Sequence, residues 1–434
     1  MTAKPTVITR PTLRTLSSNA AASMVRRLAS RGSELESLEP QVARIIHDVR
    51  RNGDKALHRY AQQWDRLAPK QALRVSEQEL AAASASISPE LRRALQKAAA
   101  NIRRFAQWQK PRSFTRTSFG SSLGQIALPL DSVGCYVPGG RYPLVSTLLM
   151  TVIPAQVAGV EHIRVASPNP SPEVLAAASI LDVKQFYRVG GAQAIAAFAY
   201  GTLTIPKVEK IVGPGNSYVT VAKKLVSFDC SIDFLAGPTE ALILSEDGDP
   251  DFIAADLVSQ AEHDPASSVA FITTKSSLAA SVAACVARRA APNPVALQSL
   301  RRNSAILIAS SRDEARAWAN QIASEHLTID PDDLPHIRNA GSIFIGDYSP
   351  QSAGDYASGP NHVLPTSGQA RFRGGLSVLD FVKVVTVQQL SQSGLQKIAR
   401  TVDLLARTEG LAAHAESIEA RVSRTESKSR SAHA

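Results

Sequence analysis

The sequence predicts an α/β fold that contains two doubly wound, Rossmann-like parallel-sheet units, with helical N- and C-terminal segments. Two observations lead to this prediction. Short apolar runs alternate with helical patterns through the middle of the chain, and three of these runs end in glycine-rich turns. Strands that alternate with helices form parallel sheets with helices on both faces. The 434 residues, 44% of them hydrophobic, are enough for a large core and two or three domains.

The N-terminal segment, residues 1–125, is predicted to be mostly helical and to pack on the core. Apolar residues recur at helical spacing over 38–65 and again over 89–109. The first pattern is interrupted at Asn52-Gly53, and Pro111 ends the second. We therefore expect two long amphipathic helices before the first sheet.

The first Rossmann-like unit is predicted over 126–238 and the second over 239–380. Each is a run of short apolar strands, most of them followed by a helix. In the first unit the predicted strands are 126–138, 163–167, 186–189 and 210–213. In the second unit they are 241–245, 269–273, 305–309 and 341–346. The two runs suggest a duplication, although no residue-level repeat is visible.

The C-terminal part of the chain is predicted to contain two further segments. Residues 381–422 are read as helical. Residues 423–434 are rich in Ser, Arg and Lys and have no apolar anchor, so we expect a disordered tail.

The formal net charge of +10 does not by itself indicate a nucleic-acid partner. Part of the excess is terminal, because the first 31 residues carry six basic and no acidic side chains. The interior has no basic run with interleaved aromatic residues, and aromatic residues make up only 5% of the chain. Surface solubility is the better interpretation, and neither a nucleic-acid nor a membrane partner is expected.

Cysteine usage and hydropathy favour a cytoplasmic location. Cys135, Cys230 and Cys285 are few and far apart, so neither a disulfide framework nor a cysteine-type zinc site is expected. Cys135 is predicted to be a buried small hydrophobe rather than a reactive thiol. No apolar run reaches the roughly 18 residues of a membrane span, and the N-terminus lacks the apolar core of a secretory signal.

Three glycine-rich turns follow predicted strands: Pro138-Gly-Gly140, Gly190-Gly-Ala-Gln193 and Gly213-Pro-Gly-Asn216. Glycine lets the backbone approach a ligand, and the N-terminus of the next helix offers N–H groups to a phosphate. Any one of them could be only a tight turn, since no G-x-G-x-x-G pattern occurs. The succession of three, two with an amide side chain close behind, favours a dinucleotide site.

Polar segments near the second unit and the C-terminus offer metal ligands and proton carriers. Gln260, His263, Asp355 and His414 together provide one carboxylate, two imidazoles and an amide, which suits Zn²⁺ or a similar divalent ion. Asp355 is expected to be exposed in a loop, and each of these residues alone is more often a solvated or hydrogen-bonded group. Adjacent Glu325 and His326 fit a base and its partner better than a chelating pair.

Seven longer motifs stand out along the chain. They are Gly-Cys-Tyr-Val-Pro-Gly-Gly (134–140), Gly-Gly-Ala-Gln-Ala-Ile-Ala (190–196), Gly-Pro-Gly-Asn (213–216), Ala-Gly-Pro-Thr-Glu (236–240), Ser-Gln-Ala-Glu-His (259–263), Ser-Glu-His-Leu (324–327) and Ala-Gly-Asp-Tyr-Ala-Ser-Gly-Pro-Asn-His-Val-Leu-Pro-Thr (353–366). Together these motifs resemble those of the histidinol dehydrogenase family, and the likeness runs from about residue 8 to 421. The last motif is the most specific, and all occur in the family's order.

The resemblance implies a zinc-dependent enzyme of histidine biosynthesis that oxidises L-histidinol through L-histidinal to L-histidine with two NAD molecules. The implied zinc ligands are Gln260, His263, Asp355 and His414. The implied substrate contacts are Thr239, Gln260, His263, His326, Asp355, His362, Glu409 and His414. The implied catalytic pair is Glu325 and His326, and the implied NAD contacts are Tyr136, Gln193 and Asn216. The resemblance also implies an intertwined homodimer whose C-terminal segment, with Glu409 and His414, completes the partner's site.

The implied chemistry assigns a task to each group. His326 takes the alcohol proton, Glu325 activates the water that hydrates the aldehyde, and zinc holds the substrate's imidazole and amine. One departure from the family pattern is Thr239, where serine is often found; the hydroxyl is kept and a methyl is added. The native metal stays open among zinc, manganese and cobalt.

Three alternatives remain at this level. A related zinc and NAD dehydrogenase could act on another small alcohol such as a sulfopropanediol, but the intact segment 361–366 and Glu409 favour an imidazole substrate. A zinc hydrolase would use Glu325 without a dinucleotide, and the glycine turns argue against it. A basic nucleic-acid-binding protein would bind DNA in a steeply salt-dependent way.

Overall fold

The computed structural model describes the backbone of residues 13–30, 35–139 and 143–431, and the side chains as far as residue 422. The chain divides into two compact units. The first comprises residues 1–110 and 130–381, and the second comprises 111–129 and 382–434.

Strands occur in both units. In chain order they are β1 (Arg14–Ser17), β2 (Phe114–Ser118), β3 (Ser121–Pro129), β4 (Ser132–Tyr136), β5 (His162–Ala166), β6 (Gln185–Tyr187), β7 (Lys210–Val212), β8 (Ser231–Ile232), β9 (Glu240–Leu244), β10 (Ser268–Thr273), β11 (Ala305–Ile308), β12 (His326–Ile329), β13 (Ser342–Ile345) and β14 (Val382–Gln389).

Helices connect most of these strands. In chain order they are α1 (Ser18–Ala29), α2 (Glu39–Trp64), α3 (Glu77–Ser86), α4 (Pro89–Gln109), α5 (Val145–Ala158), α6 (Pro172–Ile180), α7 (Gly191–Tyr200), α8 (Ser217–Val226), α9 (Pro250–Ala261), α10 (Ser276–Ala290), α11 (Pro294–Asn303), α12 (Arg312–Ile322), α13 (Gln351–Tyr356), α14 (Gln392–Thr408) and α15 (Ala412–Ser431). No helix within the described ranges combines the length and the apolar character that crossing a bilayer requires.

The first unit contains two parallel sheets, which confirms the predicted fold class. The five-stranded sheet has the order β6-β5-β4-β7-β8, and the six-stranded sheet has the order β1-β11-β10-β9-β12-β13. The strand order therefore reverses between β4 and β7 in one sheet and between β9 and β12 in the other. In open α/β sheets, ligands bind at such switch points, outside the carboxyl ends of the strands.

The large sheet is buried on both faces, which explains why its strands are continuous apolar runs. Ala241 and Ile243 of β9 pack in the cluster with α9, α10 and α11. Leu242 and Leu244 of the same strand pack in the opposite cluster with α1 and α12. Because side chains alternate along a strand, a strand covered on both faces needs apolar residues at every position.

The break predicted at Asn52-Gly53 is a kink inside α2. Gly53 has φ 50° and ψ −131°, a conformation that glycine adopts readily and that ends regular helical geometry. The second half of α2 then packs in the core with α7 and α8.

Three sequence predictions of secondary structure in the first unit require correction. Residues 14–17 lie in the segment predicted to be helical, but they form the edge strand β1. The predicted single strand 126–138 is divided by Leu130-Asp131 into β3 and β4, which belong to different sheets. The central strand β12 was not predicted, because His326-Leu-Thr-Ile is too short and too polar at its start to show a pattern.

The second unit is an antiparallel sheet with the strand order β14-β3-β2, together with α14 and α15. Residues 114–118, 121–125 and 382–389, which the sequence assigned to helical segments, are therefore strands. The structure also differs in the predicted tail, because α15 continues to Ser431. The segment 412–431 contains neither glycine nor proline, so nothing in it ends a helix at residue 422. Residues 432–434 lie outside the described residues.

Candidate functional site

Most of the predicted acid/base and substrate residues of the first unit lie at the amino ends of β9 and β12. His326 begins β12 and is in register with Ala241 of β9, so Thr239, Glu240 and Glu325 share this edge. The helix that follows β9 runs back to the same edge, which places Gln260 in the last turn of α9. These residues therefore lie at the amino ends of the strands of the large sheet. The usual ligand position of such a sheet is at the other end, outside the carboxyl ends of the strands.

Asp355 joins three of the predicted residues. Its Oδ1 lies 3.1 Å from His326 Nε2, and its Oδ2 accepts a hydrogen bond of 2.8 Å from Gln260 Nε2. Its backbone carbonyl lies 2.6 Å from His362 Nδ1. The prediction that loop geometry exposes this carboxylate is wrong, because Asp355 lies in α13 and is only 8% exposed. The Gly- and Ser-rich composition concealed this helical turn.

His326 is held in a defined orientation in the buried interior. Its ring stacks on Phe344 at a centroid distance of 5.9 Å, and Nε2 faces the Asp355 carboxylate. An acceptor at Nε2 places the proton of the neutral ring on that nitrogen and leaves Nδ1 as the basic atom. Nδ1 is buried without a hydrogen-bond partner among the described residues and lies 3.7 Å from Glu325 Oε2.

Burial and charge separate the pKa values of the two carboxylates beside His326. Burial raises the pKa of Glu325 to about 8, although His326 and the backbone N–H of Glu240 oppose the shift. Burial also acts to raise the pKa of Asp355, but the hydrogen bond and charge of His326 outweigh it, and the value falls to about 2. Burial opposes a charge on His326, yet Glu325 and Asp355 raise the pKa of the imidazole overall. One carboxylate is therefore strongly acidic and the other is poised for proton transfer.

His362 and Thr239 lie near this arrangement. His362 Nε2 lies 3.4 Å from Thr147 Oγ1 of α5, so the ring spans from α13 to the helix that follows β4. Thr239 is half-buried directly before β9, and its carbonyl accepts a hydrogen bond from Ser268 N at 2.8 Å. Sequence reasoning missed the contacts of Thr147, Glu240 and Phe344, since nothing in their local sequence signals them.

The predicted metal ligands are brought together only in part. No three His, Cys, Asp or Glu side chains converge in metal-binding geometry within the described ranges. Gln260 and Asp355 are in contact, and His263 lies exposed two residues beyond the end of α9. Gln260 is fully buried, and its Oε1 has no hydrogen-bond partner among the described residues. A buried acceptor without a partner is costly, and a bound cation would satisfy it.

Glu409 and His414 belong to the second unit, and their predicted role in the site stays a prediction. The sequence placed them on one helix, but Glu409 caps the end of α14 and His414 lies in the first turn of α15. Gly410, with φ 77°, makes the turn between the two helices. Both side chains are exposed.

The predicted NAD residues lie at the switch point of the small sheet. Tyr136 ends β4, and Asn216 caps α8, which follows the neighbouring strand β7. Gln193 lies in the first turn of α7, and Gly191 N donates to Tyr136 Oη at 3.1 Å. Sequence spacing alone could not show this convergence; the topology produces it.

Two N–H groups of the glycine-rich turns are bonded within the protein. Gly190 N donates to Asp65 at 2.8 Å, and Gly213 N donates to Asp233 at 2.8 Å. The predicted phosphate donors, the N–H groups of the helices that follow the turns, stay a prediction. The glycines also serve packing between turns. A Cβ at Gly190 would lie 2.5 Å from Pro168, and one at Gly213 would lie 2.1 Å from the carbonyl oxygen of Tyr136.

The cysteines carry no disulfide in the structure. Cys135 is fully buried in β4, and burial raises the pKa of its thiol to about 12. This confirms the interpretation of Cys135 as a buried hydrophobe rather than a nucleophile.

Comparisons with known proteins match nearly the whole chain. The family model for histidinol dehydrogenase matches residues 28–422. A histidinol dehydrogenase from Methanosarcina barkeri is 46% identical over 419 residues, which cover 93% of this chain and 96% of that protein. One from Geobacter metallireducens is 44% identical over 411 residues, or 91% of this chain and 94% of that protein.

A solved structure gives the same result at the level of the fold. The crystal structure of histidinol dehydrogenase from Elizabethkingia anophelis superposes with a TM-score of 0.91 at 36% identity, covering 95% of this chain and 99% of that one. Family model, relatives and structure agree on the family that the motifs indicated, a family of oxidoreductases in histidine biosynthesis. The chain belongs to the histidinol dehydrogenase family.

Proposed function

We propose that this protein catalyses the four-electron oxidation of L-histidinol through L-histidinal to L-histidine, with two NAD molecules and one zinc ion per subunit. The observation that carries the proposal is the buried group formed by His326, Asp355, Glu325 and Gln260 at the amino edge of the large sheet. Family membership supplies the reaction class, and this group supplies the acid/base chemistry that the reaction needs.

In the first oxidation, His326 removes the hydroxyl proton of the alcohol as hydride leaves the same carbon. The Nδ1 atom is the basic one, because Asp355 accepts from Nε2. The nearby carboxylates raise the pKa of the imidazole and so stabilise the imidazolium that forms. Asp355 therefore both orients the ring and stabilises its charged form.

In the second oxidation, the aldehyde must first add water to form a gem-diol. Glu325 is proposed to take the proton from that water. A carboxylate with a pKa of about 8 is a much stronger base than an exposed glutamate when ionised. Hydride and a second proton then leave the hydrate, which gives the carboxylic acid.

Zinc is proposed to bind Gln260, His263, Asp355 and His414, and when bound it would hold the substrate's imidazole and amine. The buried, unpartnered Oε1 of Gln260 beside Asp355 fits a cation at this position. Thr239, His362 and Glu409 are proposed to contact the substrate with the ligands and with His326. The closed surroundings of His326, 3% exposed, suit retention of a reactive aldehyde between the two steps.

NAD, which accepts hydride in each oxidation, is proposed to contact Tyr136, Gln193 and Asn216. Tyr136 and Asn216 follow β4 and β7 at the switch point, the usual ligand position of a doubly wound sheet, and Gln193 lies on α7, whose first residue, Gly191, donates to Tyr136 Oη. Because the N–H groups of Gly190, Gly191 and Gly213 are already bonded within the protein, side-chain amides and hydroxyls are expected to make much of the contact.

The functional form is proposed to be a cytoplasmic homodimer in which Glu409 and His414 complete the partner's site. The second unit supports a protein partner, because many of its apolar side chains are exposed in the single chain. Exposed examples are Phe114, Ile126, Leu128, Val384, Val385, Val387, Leu404 and Leu405. Apolar side chains clustered on one small unit mark an interaction surface.

The decisive assay counts NADH formed per L-histidinol consumed. We expect two equivalents, loss of turnover after treatment with a chelator, and recovery on addition of Zn²⁺. One equivalent would contradict the second oxidation. Turnover of a sulfonated propanediol but not of L-histidinol would assign the protein to the alternative alcohol substrate.

A further inference from the structure

Asp65 is a buried carboxylate at the predicted dinucleotide site that no step of the reaction uses. It caps the C-terminal end of α2 and is 7% exposed. Its Oδ2 accepts two hydrogen bonds, from Gly190 N at 2.8 Å and from Gln193 Nε2 at 3.2 Å. Among the described residues, no cation is bonded to it to offset the cost of burial. Such a carboxylate calls for an explanation beyond packing.

The bond to Gln193 determines how its carboxamide is turned. The carboxamide lies against Gly191, and because its Nε2 donates to Asp65, Oε1 is the amide atom that this bond leaves for another partner. A Cβ built on Gly191 would be 2.7 Å from this oxygen. Gly191 also has φ 60°, so glycine serves both the turn and the close approach of the Gln193 oxygen. Asp65 thus selects one of the two orientations of the amide.

The bond to Gly190 fixes the start of the helix that carries Gln193. Gly190 is the N-cap of α7, and because glycine has no side chain it cannot cap the helix itself. The Asp65 carboxylate supplies the negative charge that a helix N-terminus favours. One atom, Asp65 Oδ2, therefore holds the glycine-rich turn at Gly190, the start of α7 and the carboxamide of Gln193.

We propose that Asp65 is a positioning residue of the dinucleotide site, which turns the Gln193 carboxamide so that its oxygen is the atom offered to the ligand. This rests on the proposed NAD-linked function. A carboxamide oxygen beside a carboxylate accepts from neutral donors, such as a ribose hydroxyl or an amine. The same negative charge repels phosphate, so the α7 end of the site binds the nucleoside rather than the diphosphate.

The test measures dissociation constants of NADH by fluorescence titration of the zinc-loaded protein. Asp65→Ala is expected to weaken NADH binding about tenfold, because the acceptor that orients Gln193 is lost. Asp65→Asn keeps an oxygen acceptor without the charge, so a smaller loss is expected. The KM for L-histidinol should change less than twofold in either variant, since Asp65 contacts none of the proposed substrate residues.

Asp54→Asn is the matched control. Asp54 also lies on α2, about 16 Å along the helix from Asp65 by the rise per residue. Its two oxygens accept from Thr204 N at 3.3 Å and from Thr204 Oγ1 at 2.6 Å. The Asp54→Asn variant therefore weakens similar hydrogen bonds, but to the loop after α7 and not to the glycine-rich turn. Its NADH affinity should stay within twofold of wild type.

Coupling to Gln193 separates positioning from a general loss of stability. If Asp65 acts through Gln193, the loss in the double variant Asp65→Asn with Gln193→Ala will be smaller than the product of the two single losses. Losses that multiply would overturn the proposed route. If the role of Asp65 is purely structural, its substitution will lower the melting temperature, but NADH will still raise the melting temperature by the same amount as in the wild type. This comparison provides a second readout if Asp65→Ala is poorly stable.

The possible outcomes distinguish the two proposals. If the wild-type protein does not bind NADH, the proposed function fails and the role of Asp65 fails with it. If the wild-type protein binds NADH and both Asp65 variants bind it within twofold of wild type, only the role of Asp65 is overturned.

Discussion

At the scale of single residues, the proposed chemistry depends on how two carboxylates act on His326. Asp355 orients the imidazole ring, and Asp355 and Glu325 together raise its pKa. Stacking on Phe344 and the contact of Nε2 with Asp355 fix the orientation of the imidazole. Neither contact uses Nδ1, so this nitrogen stays available to accept a proton. A histidine held in this way is suited to proton transfer rather than to filling the core.

Substitution of His326 by Gln is expected to lower kcat for L-histidinol oxidation by about 10²- to 10⁴-fold. NADH affinity should stay near that of wild type, because the proposed cofactor contacts lie on the other sheet. Steady-state kinetics and NADH titration measure the two quantities. His336→Gln changes an exposed histidine of the same unit and should be nearly silent. If His326→Gln and His336→Gln have equal kcat, His326 does not take part in the chemical step.

Glu325 should give the oxidation of L-histidinal a distinctive pH dependence. Burial raises its pKa from the ordinary 4.5 to about 8, so the ionised form, which is proposed to activate water, is in the minority at neutral pH. The rate of aldehyde oxidation should therefore rise as the pH increases toward about 8 and level off above it. In Glu325→Gln this rise should disappear, and oxidation of L-histidinal should fall more than oxidation of L-histidinol. A rise that persists in the variant would assign it to another group.

Much of the residue chemistry was predictable, but the contacts were not. Gln260 and His263 were predicted as ligands from the chemistry of their side chains, and Gln260 lies in the last turn of α9. The link from Asp355 to His326 joins residues 29 positions apart in different elements, and no local pattern encodes it. Asp65 was invisible for the same reason, since its partner Gly190 is 125 residues away.

At the scale of elements, a buried ion pair holds the third glycine-rich turn, at Gly213. Lys223 of α8 forms an ion pair with Asp233, with side chains 2% and 0% exposed. Lys223 also donates to Gly213 O at 3.0 Å, while Asp233 accepts from Gly213 N at 2.8 Å. Both backbone polar groups of Gly213 are therefore bonded to one buried ion pair, three residues before Asn216.

Asp233→Ala is expected to destabilise the fold by about 3–5 kcal/mol, because it leaves the Lys223 ammonium buried without its counter-charge. Urea unfolding measures the change. The double variant Lys223→Met with Asp233→Leu should recover most of the lost stability, since apolar side chains of similar size avoid the unpaired charge. A double variant as unstable as the single one would show that the turn needs the bonds to Gly213 rather than charge balance.

Elements with a strong pattern were predicted well, and those defined by pairing were not. Helix α10 (276–290) follows the predicted strand 269–273, as the alternation of strands and helices indicated, and its buried residues recur at helical spacing. The strands β1 and β12 have four residues each, and it is their neighbours in the sheet that make them strands. β14 was read as part of a helical segment because its pairing with β3 spans more than 250 residues. Long-range pairing of this kind leaves no local trace.

At the scale of the whole molecule, the described residues of the first unit supply Gln260, His263 and Asp355 but not the fourth proposed zinc ligand. Glu409 and His414 are exposed on the second unit, which also carries the exposed apolar side chains. If a second copy covers that surface, one chain can contribute His326 and the other His414 to the same site.

Mixing two inactive variants tests this sharing of the site. Glu325→Gln and His414→Ala are each expected to be inactive in L-histidine formation as homodimers. If the sites are shared, a mixed dimer holds one site with Glu325 and the partner's His414 both intact, and one site with both changed. Random pairing makes half of the dimers mixed, so co-refolded or co-expressed chains should recover about a quarter of wild-type activity. If each site uses one chain only, every site in the mixed dimer carries one substitution, and activity should stay at the level of the separate variants.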